Sequence, residues 1–307
     1  MKKSAIALAV AAALAATTAV QADTTLYGSA RVSVDYVNPQ GGGDHYWDVV
    51  NNSSRLGVRG SEDLGNGLSA IYQYEFGVDT TDGGNFNSNR PRVLGLKGDF
   101  GTATMGNQWT PYYNVLGIND VFNAGSSFGN YLGDFRMSNT VNYLTPNWNG
   151  FSAEGQIQMN GAQDQSGVDQ WDANIKYTNG PFLAGVTGQR SQTSGDWLYG
   201  AALGFSPGAW NFGLIGENCA YNDDNSTTEI RLCDDDVWES QGLVEYELGS
   251  NVLRASYAYE KHNNGGDRNF YQFGVQHNLS KRSRLWAEYI ENGGGEDHVS
   301  VGMRHDF

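Results

Sequence analysis

The chain has 307 residues and a formal charge of −15, an acidic balance that excludes nucleic acid as a partner. A mean hydropathy of −0.50 excludes a helical membrane protein. The 41 Gly, 17 Tyr and 8 Trp, with only 6 Pro, suit many short strands joined by tight turns. At the start of the chain Lys2 and Lys3 precede an unbroken apolar run from Ala5 to Ala16, and Val20-Gln21-Ala22 supplies small residues for cleavage. This pattern predicts a secretory signal peptide over residues 1–22, removed before Asp23. The run is shorter than the roughly 20 residues a spanning helix needs. Residues 23–307 are then a single β-rich unit that has crossed an inner membrane.

From Thr25 onward the residues alternate. Leu26, Gly28, Ala30, Val32, Val34 and Tyr36 share one face of a ribbon, and Tyr27, Ser29, Arg31, Ser33 and Asp35 share the other. Over 151–159, Phe151, Ala153, Ile157 and Met159 oppose Ser152, Glu154, Gln156 and Gln158. Leu253, Ala255, Tyr257 and Tyr259 oppose Arg254, Ser256 and Glu260, and at the end Val299, Val301, Met303, His305 and Phe307 oppose Ser300, Gly302, Arg304 and Asp306. Each segment reads as a strand with one greasy and one wet face. Short connectors at Gly65, Phe100, Asn147, Asn179, Ser206, Leu248 and Leu279 take turns with long ones over 38–54, 80–90, 110–136, 160–170, 191–196, 218–236, 261–268 and 291–297. Seven short and eight long connectors join sixteen strands, the pattern of an all-β transmembrane barrel with short periplasmic turns and long external loops. A soluble sandwich or propeller would also alternate. Against it stand the Arg, Glu, Gln and Asn on the wet faces and the strand-end aromatics Trp171, Trp197, Trp210 and Trp238, which resemble an interfacial girdle.

Cys219 and Cys233 are the only cysteines, and in an exported chain a disulfide between them is expected. Closing a loop of about 15 residues would contribute ~3 kcal/mol in the chain-entropy model. Two free thiols or a metal site are the alternatives, but no His stands nearby and no metal is expected. The histidines are 45, 262, 277, 298 and 305, and none belongs to a recognisable catalytic motif, so no enzymatic activity and no cofactor are expected.

The stretches "TLYGSARVSV" from Thr25, "SRLGVRGSEDLGNGLSAIYQYEFGVD" from Ser54, "RVLGLKGDFGTATMGNQ" from Arg92 and the closing "VGMRHDF" resemble the general porins of Gram-negative outer membranes. The resemblance covers the chain from Thr25 to Phe307. It implies a sixteen-stranded antiparallel barrel whose third long loop, 110–136, folds inward and narrows a water-filled lumen. It also implies that Phe307 is the signal read by the outer-membrane assembly machinery, and that the last strand closes against the first. Matching positions place Arg55, Arg90 and Arg136 on the basic wall of the constriction and Asp120 on the loop facing them, with Asp134 as a second loop carboxylate. By alternation Arg31 and Arg59 face the lumen as well. Leu94 shares the parity of Arg90 and Arg92 yet reads as outward-facing, so Pro91 would have to break the register. Ser29 stands where some relatives carry lysine, and Ala124 and Phe128 stand where loop carboxylates cluster.

The same resemblance implies a homotrimer in outer-membrane lipid, in contact with lipopolysaccharide, with Gly28 and Ala30 permitting close approach between first strands. Small hydrophilic solutes and ions would pass by diffusion. The mouth carries Asp44, Asp48, Asp82, Asp164, Asp169, Asp223, Asp224, Asp234 to Asp236, Glu296 and Asp297, from which a weak cation preference is expected. Those loops could instead be a solvated surface bridged to lipopolysaccharide by divalent ions. A substrate-specific channel, with an aromatic track of Tyr112, Tyr113, Phe122, Phe128 and Tyr131 or a basic ladder, is the alternative to general diffusion, and a secreted adhesin is a third class.

Overall fold

The computed structural model describes residues 23–307 except 40–41, 85, 87–88, 126–130, 162–166, 222–231 and 234, and the expected signal segment 1–22 lies outside the described residues. The strands are β1 (Asp23–Asn38), β2 (Tyr46–Asn51), β3 (Arg55–Gly65), β4 (Leu68–Gly77), β5 (Arg92–Gly98), β6 (Gly101–Trp109), β7 (Arg136–Leu144), β8 (Phe151–Gln158) and β9 (Gln170–Asn179). They continue with β10 (Phe182–Ser191), β11 (Trp197–Phe205), β12 (Trp210–Ala220), β13 (Val237–Leu248), β14 (Asn251–His262), β15 (Arg268–Asn278), β16 (Ser283–Asn292) and β17 (Asp297–Asp306). Neighbours in the sheet pair antiparallel, and β17 returns to β1 in register from Ser29↔Asp306 to Asn38↔Asp297. The result is a closed sixteen-stranded barrel with one extra short strand.

The extra strand is β2, which lies end to end with β3 along β1, through Val32↔Asn51 and Ser29↔Arg55 respectively. Between them Ser53 takes a left-handed φ of 64°. The long connector expected over 38–54 is therefore shorter, because 46–51 rejoins the sheet. The reason is legible in the side chains: Trp47 and Val49 stand opposite Tyr36 and Val34 on the outer face, and the Tyr36 and Trp47 rings meet at 5.1 Å.

Alternation sorts the two faces as the sequence suggests. Leu26, Leu94, Met105, Ile175, Leu203 and Val301 are exposed on the outside, while Ser29, Glu75, Gln156, Gln189, Gln272 and Ser300 are buried on the inside. Rings gather in two belts on the outer face. Trp171 and Trp197 meet edge to face near the external ends, and Phe182 stacks on Phe205, with Trp210 against Tyr246, near the short turns. The first of those turns, Asn66-Gly67, has φ of 53° and 75°, both left-handed as a two-residue hairpin of this twist requires.

Closure runs to the last residue. The Phe307 N–H donates to the Gly28 carbonyl at 3.1 Å, and the Gly28 N–H donates to the Phe307 carbonyl at 3.0 Å. A Cβ on Gly28 would lie 2.5 Å from the Phe307 ring and 2.6 Å from the Arg55 carbonyl oxygen. The space at Gly28 is thus filled by its own chain, which replaces the expectation that Gly28 receives a second copy.

Inside the barrel lies the β6–β7 connector. It opens with α1 (Pro111–Leu116), capped by the Thr110 hydroxyl accepting from the Tyr113 N–H and led by Pro111 in the first turn, then continues into a 3₁₀ turn over Gly117–Asn119. Six residues cannot sustain a helix alone. Tertiary contacts hold it: Tyr112, Val115 and Leu116 form an apolar cluster with Leu198, Ala202, Ile215 and Cys219 of the wall. Gly185 and Gly200 make room, since a Cβ on either would come within 2.8 Å of Val115 or 2.7 Å of Leu116.

Candidate functional site: the constriction at loop 3

Polar anchors fix the loop across the lumen. Tyr112 N–H donates to Asp172 at 2.9 Å, and its hydroxyl donates to Glu217 at 2.8 Å, as does the Leu132 N–H. The Asn114 side chain donates to Glu154 at 2.9 Å, and the Asn123 and Ala124 N–H groups converge on Glu288 at 2.9 and 2.8 Å. Four wall carboxylates from three sides of the barrel thus accept loop donors, bonds stronger than neutral ones.

The space left beside the loop is a cavity of about 530 Å³, lined by Arg31, Arg55, Arg90, Arg136, Arg254, Arg284 and Arg304, with Asp120 and Glu245 as the carboxylates. Arg55 and Arg90 each reach Glu75 at 3.7 Å, and Arg90 also donates to the Ser53 carbonyl at 3.1 Å. Arg136 lies over the Trp109 ring at 4.4 Å, and Trp109 stacks on Tyr113. Arg254 pairs with Glu245 at 3.2 Å and Glu288 at 3.4 Å, while Arg284 and Arg304 share Asp306 at 3.0 and 2.7 Å. Asp120 accepts the Tyr113 hydroxyl. It belongs to the connector, outside the spanning strands, and burial pushes its carboxyl above the usual carboxylate range, against the opposing pull of Tyr113 and of Arg31, Arg55 and Arg136.

Of the residues expected here, the structure brings Arg31, Arg55, Arg90, Arg136 and Asp120 around this one cavity. The register holds through Pro91, whose carbonyl accepts the Glu75 N–H in line with the Tyr74↔Arg92 pair on the outer face, and the alternation ends there: Arg90, ahead of the strand, turns inward to Glu75 and the Ser53 carbonyl. Arg59 faces the lumen but outside this cavity, over the Tyr27 ring at 5.0 Å in a separate hollow with Thr25 and Gln73. Asp134 turns to the wall instead, accepting from Gln170 at 3.4 Å, with its carbonyl accepting the Thr110 hydroxyl at 2.6 Å. The loop aromatics largely pack among themselves: Tyr131 against Tyr113 and Phe135, Phe122 beneath Arg254, and Tyr112 against the wall; Phe128 lies outside the described residues.

Arg254, Arg284, Arg304 and Glu245 were not anticipated. The signal existed for two of them, because Arg254 and Arg304 sit on the wet faces of alternating strands. What strand alternation does not convey is that closing the barrel sets β13–β17 beside β1–β7 at the same height.

The family model described as Gram-negative porin matches residues 7–295. The chain belongs to the Gram-negative porin family. Relatives of this porin include the outer membrane porin protein 32 of Delftia acidovorans and the major outer membrane protein P.IB of Neisseria meningitidis, each 29% identical over the full length of both chains. Among solved structures, the anion-selective porin from Comamonas acidovorans superposes with a TM-score of 0.78 at 23% identity, covering 94% of this chain and all of that one. The in-vitro folded OmpT of Vibrio cholerae, in a trimer form, superposes with a TM-score of 0.70 at 17% identity, covering 93% and 99%. The porin's seat is the outer membrane. The Cys219–Cys233 disulfide is formed, with its Cα atoms 6.4 Å apart.

Proposed function

We propose that this outer-membrane porin is a trimeric channel for passive diffusion of small hydrophilic solutes and that its constriction favours anions. The observation that carries the preference is the charge around the cavity. Seven arginines are set against five carboxylates in or directly paired into the lining, namely Asp120, Glu245, Glu75, Glu288 and Asp306. The lining is left net positive. The five loop residues outside the described set, 126–130, carry no charge, so Asp120 and Asp134 are the only acids of the whole 110–135 connector.

The acidic mouth argues the other way and underlies the cation preference expected from sequence. Screening reduces its weight. Charges beyond a Debye length of ~8 Å are screened, whereas an ion in the constriction meets the arginines directly. A trimer is supported by the trimeric form among the fold relatives and by the exposed apolar band of Leu26, Val34, Val49, Val299 and Val301 around the closure seam. Contact with lipopolysaccharide through the acidic loops and recognition of Phe307 by the assembly machinery remain part of this reading.

The deciding experiment is the zero-current potential across a salt gradient in a planar bilayer. A potential of anion sign is expected. A cation sign would mean that the mouth outweighs the arginines, and saturable block by one solute class would replace general diffusion with a substrate-specific channel.

A further inference from the structure

Cys219 lies on the lumen side of β12, sharing its face with the buried Ile215 and Glu217, while Phe212 and Leu214 point outward. The bond to Cys233 is therefore made inside the barrel. It draws Leu232 and Cys233 onto the apolar cluster formed by Tyr112, Val115 and Leu116 of α1 with the wall. There the Leu232 N–H donates to Asp196 at 3.1 Å. A disulfide that only closed an external loop would have no need of the lumen face or of contact with the constriction loop.

We propose that the Cys219–Cys233 disulfide is a positioning device for the constriction: it holds Leu232 and Cys233 against the apolar cluster that seats α1 and thereby fixes where Tyr113 and Asp120 stand in the pore. The helix is too short to hold its own shape, and Leu232 and Cys233 are among the residues that pack against the apolar cluster seating it, with Ile118, Tyr131, Leu132 and Leu183. Asp120 lies four residues beyond α1 and takes the hydroxyl of Tyr113 within it, so movement of α1 is movement of the loop carboxylate. The proposal rests on the reading of the loop as the constriction.

The test uses whole porin in a planar bilayer, recorded before and after a water-soluble phosphine. The phosphine is oxidised to its oxide with oxygen from water, and the disulfide takes up two electrons and two protons to become two thiols. The Cys219→Ser/Cys233→Ser double variant serves as the permanently open reference. In each state the zero-current potential is compared with and without Asp120→Asn, giving a double-mutant cycle. With the disulfide intact, Asp120→Asn is expected to move the potential towards anions. With it open, that movement shrinks and open-channel noise rises, while the heat-resistant barrel band on a gel is unchanged. An Asp120→Asn effect of the same size in both states overturns the positioning role and leaves the constriction intact. No Asp120→Asn effect in either state overturns the constriction reading itself.

Discussion

Asp120 is the only carboxylate of the loop that reaches the cavity, and five arginines of β1, β3, β7 and β17 and the segment before β5 line the same space. Replacing Asp120 with Asn should raise anion preference, and replacing Arg136 with Gln should lower it, both read as shifts in zero-current potential. Acid should act as the first substitution does. The buried Asp120 carboxyl takes a proton above the usual carboxylate range, whereas Asp79 and Asp235 in the outer loops, held below that range by backbone N–H donors, stay ionised. As pH falls, anion preference should therefore rise before the mouth loses its charge, and Asp120→Asn porin should lack that early rise. Asp134, two residues before β7, shows how little a residue's type says about its role, since its oxygens serve Gln170 and Thr110 rather than ions.

Elements here are held by contacts remote in sequence, and two of them can be tested at single positions. At the seam, β1 and β17 leave no volume over Gly28, where the obstacle includes the Arg55 carbonyl as well as the Phe307 ring. Backbone cannot rotate away, so Gly28→Val should cost ~1–3 kcal/mol as overpacking, seen as a lower urea midpoint for loss of the heat-resistant form. Loop 3 is anchored at its far end by Glu288, which accepts from Asn123 and Ala124 and also meets Arg254. Glu288→Gln removes the charge and half of the acceptor capacity, at about 1.5–3 kcal/mol for each charge-assisted bond lost. The barrel should assemble, with the loss appearing as flickering current. A quiet channel of normal conductance would show that the other anchors suffice.

The whole molecule sets two fields of opposite sign in series, an acidic mouth and a basic constriction. Salt separates them. Raising ionic strength shortens the Debye length from ~10 Å at 0.1 M to ~3 Å at 1 M, which silences the loops before it silences arginines in direct contact with a passing ion. Relative anion preference should then persist or grow from 0.1 to 0.3 M salt, and a preference that turned towards cations would mean that salt silences the arginines before the loops, against this reading. Closure in three equal steps under high voltage is expected of a trimer of independent pores.

Period-two alternation lay open in the sequence because it is local: each residue's face follows from its neighbours two positions away, and a membrane on one side with water on the other demands that pattern in every strand. Sixteen strands and the wet faces of Arg31, Arg55 and Arg304 were legible on that basis, and the pairing of the two cysteines followed from their being the only two in a chain read as exported. The strand at 46–51 was hidden by the turn-like residues around it. Height along the barrel and the path of the loop are not local. They depend on closure of β17 against β1 and on bonds such as Asn123 to Glu288, which join residues 165 apart. Only the tertiary structure therefore decided that Arg254, Arg284 and Arg304 join the arginines of the first strands, that Arg59 and Asp134 stand apart, and that the disulfide turns into the pore.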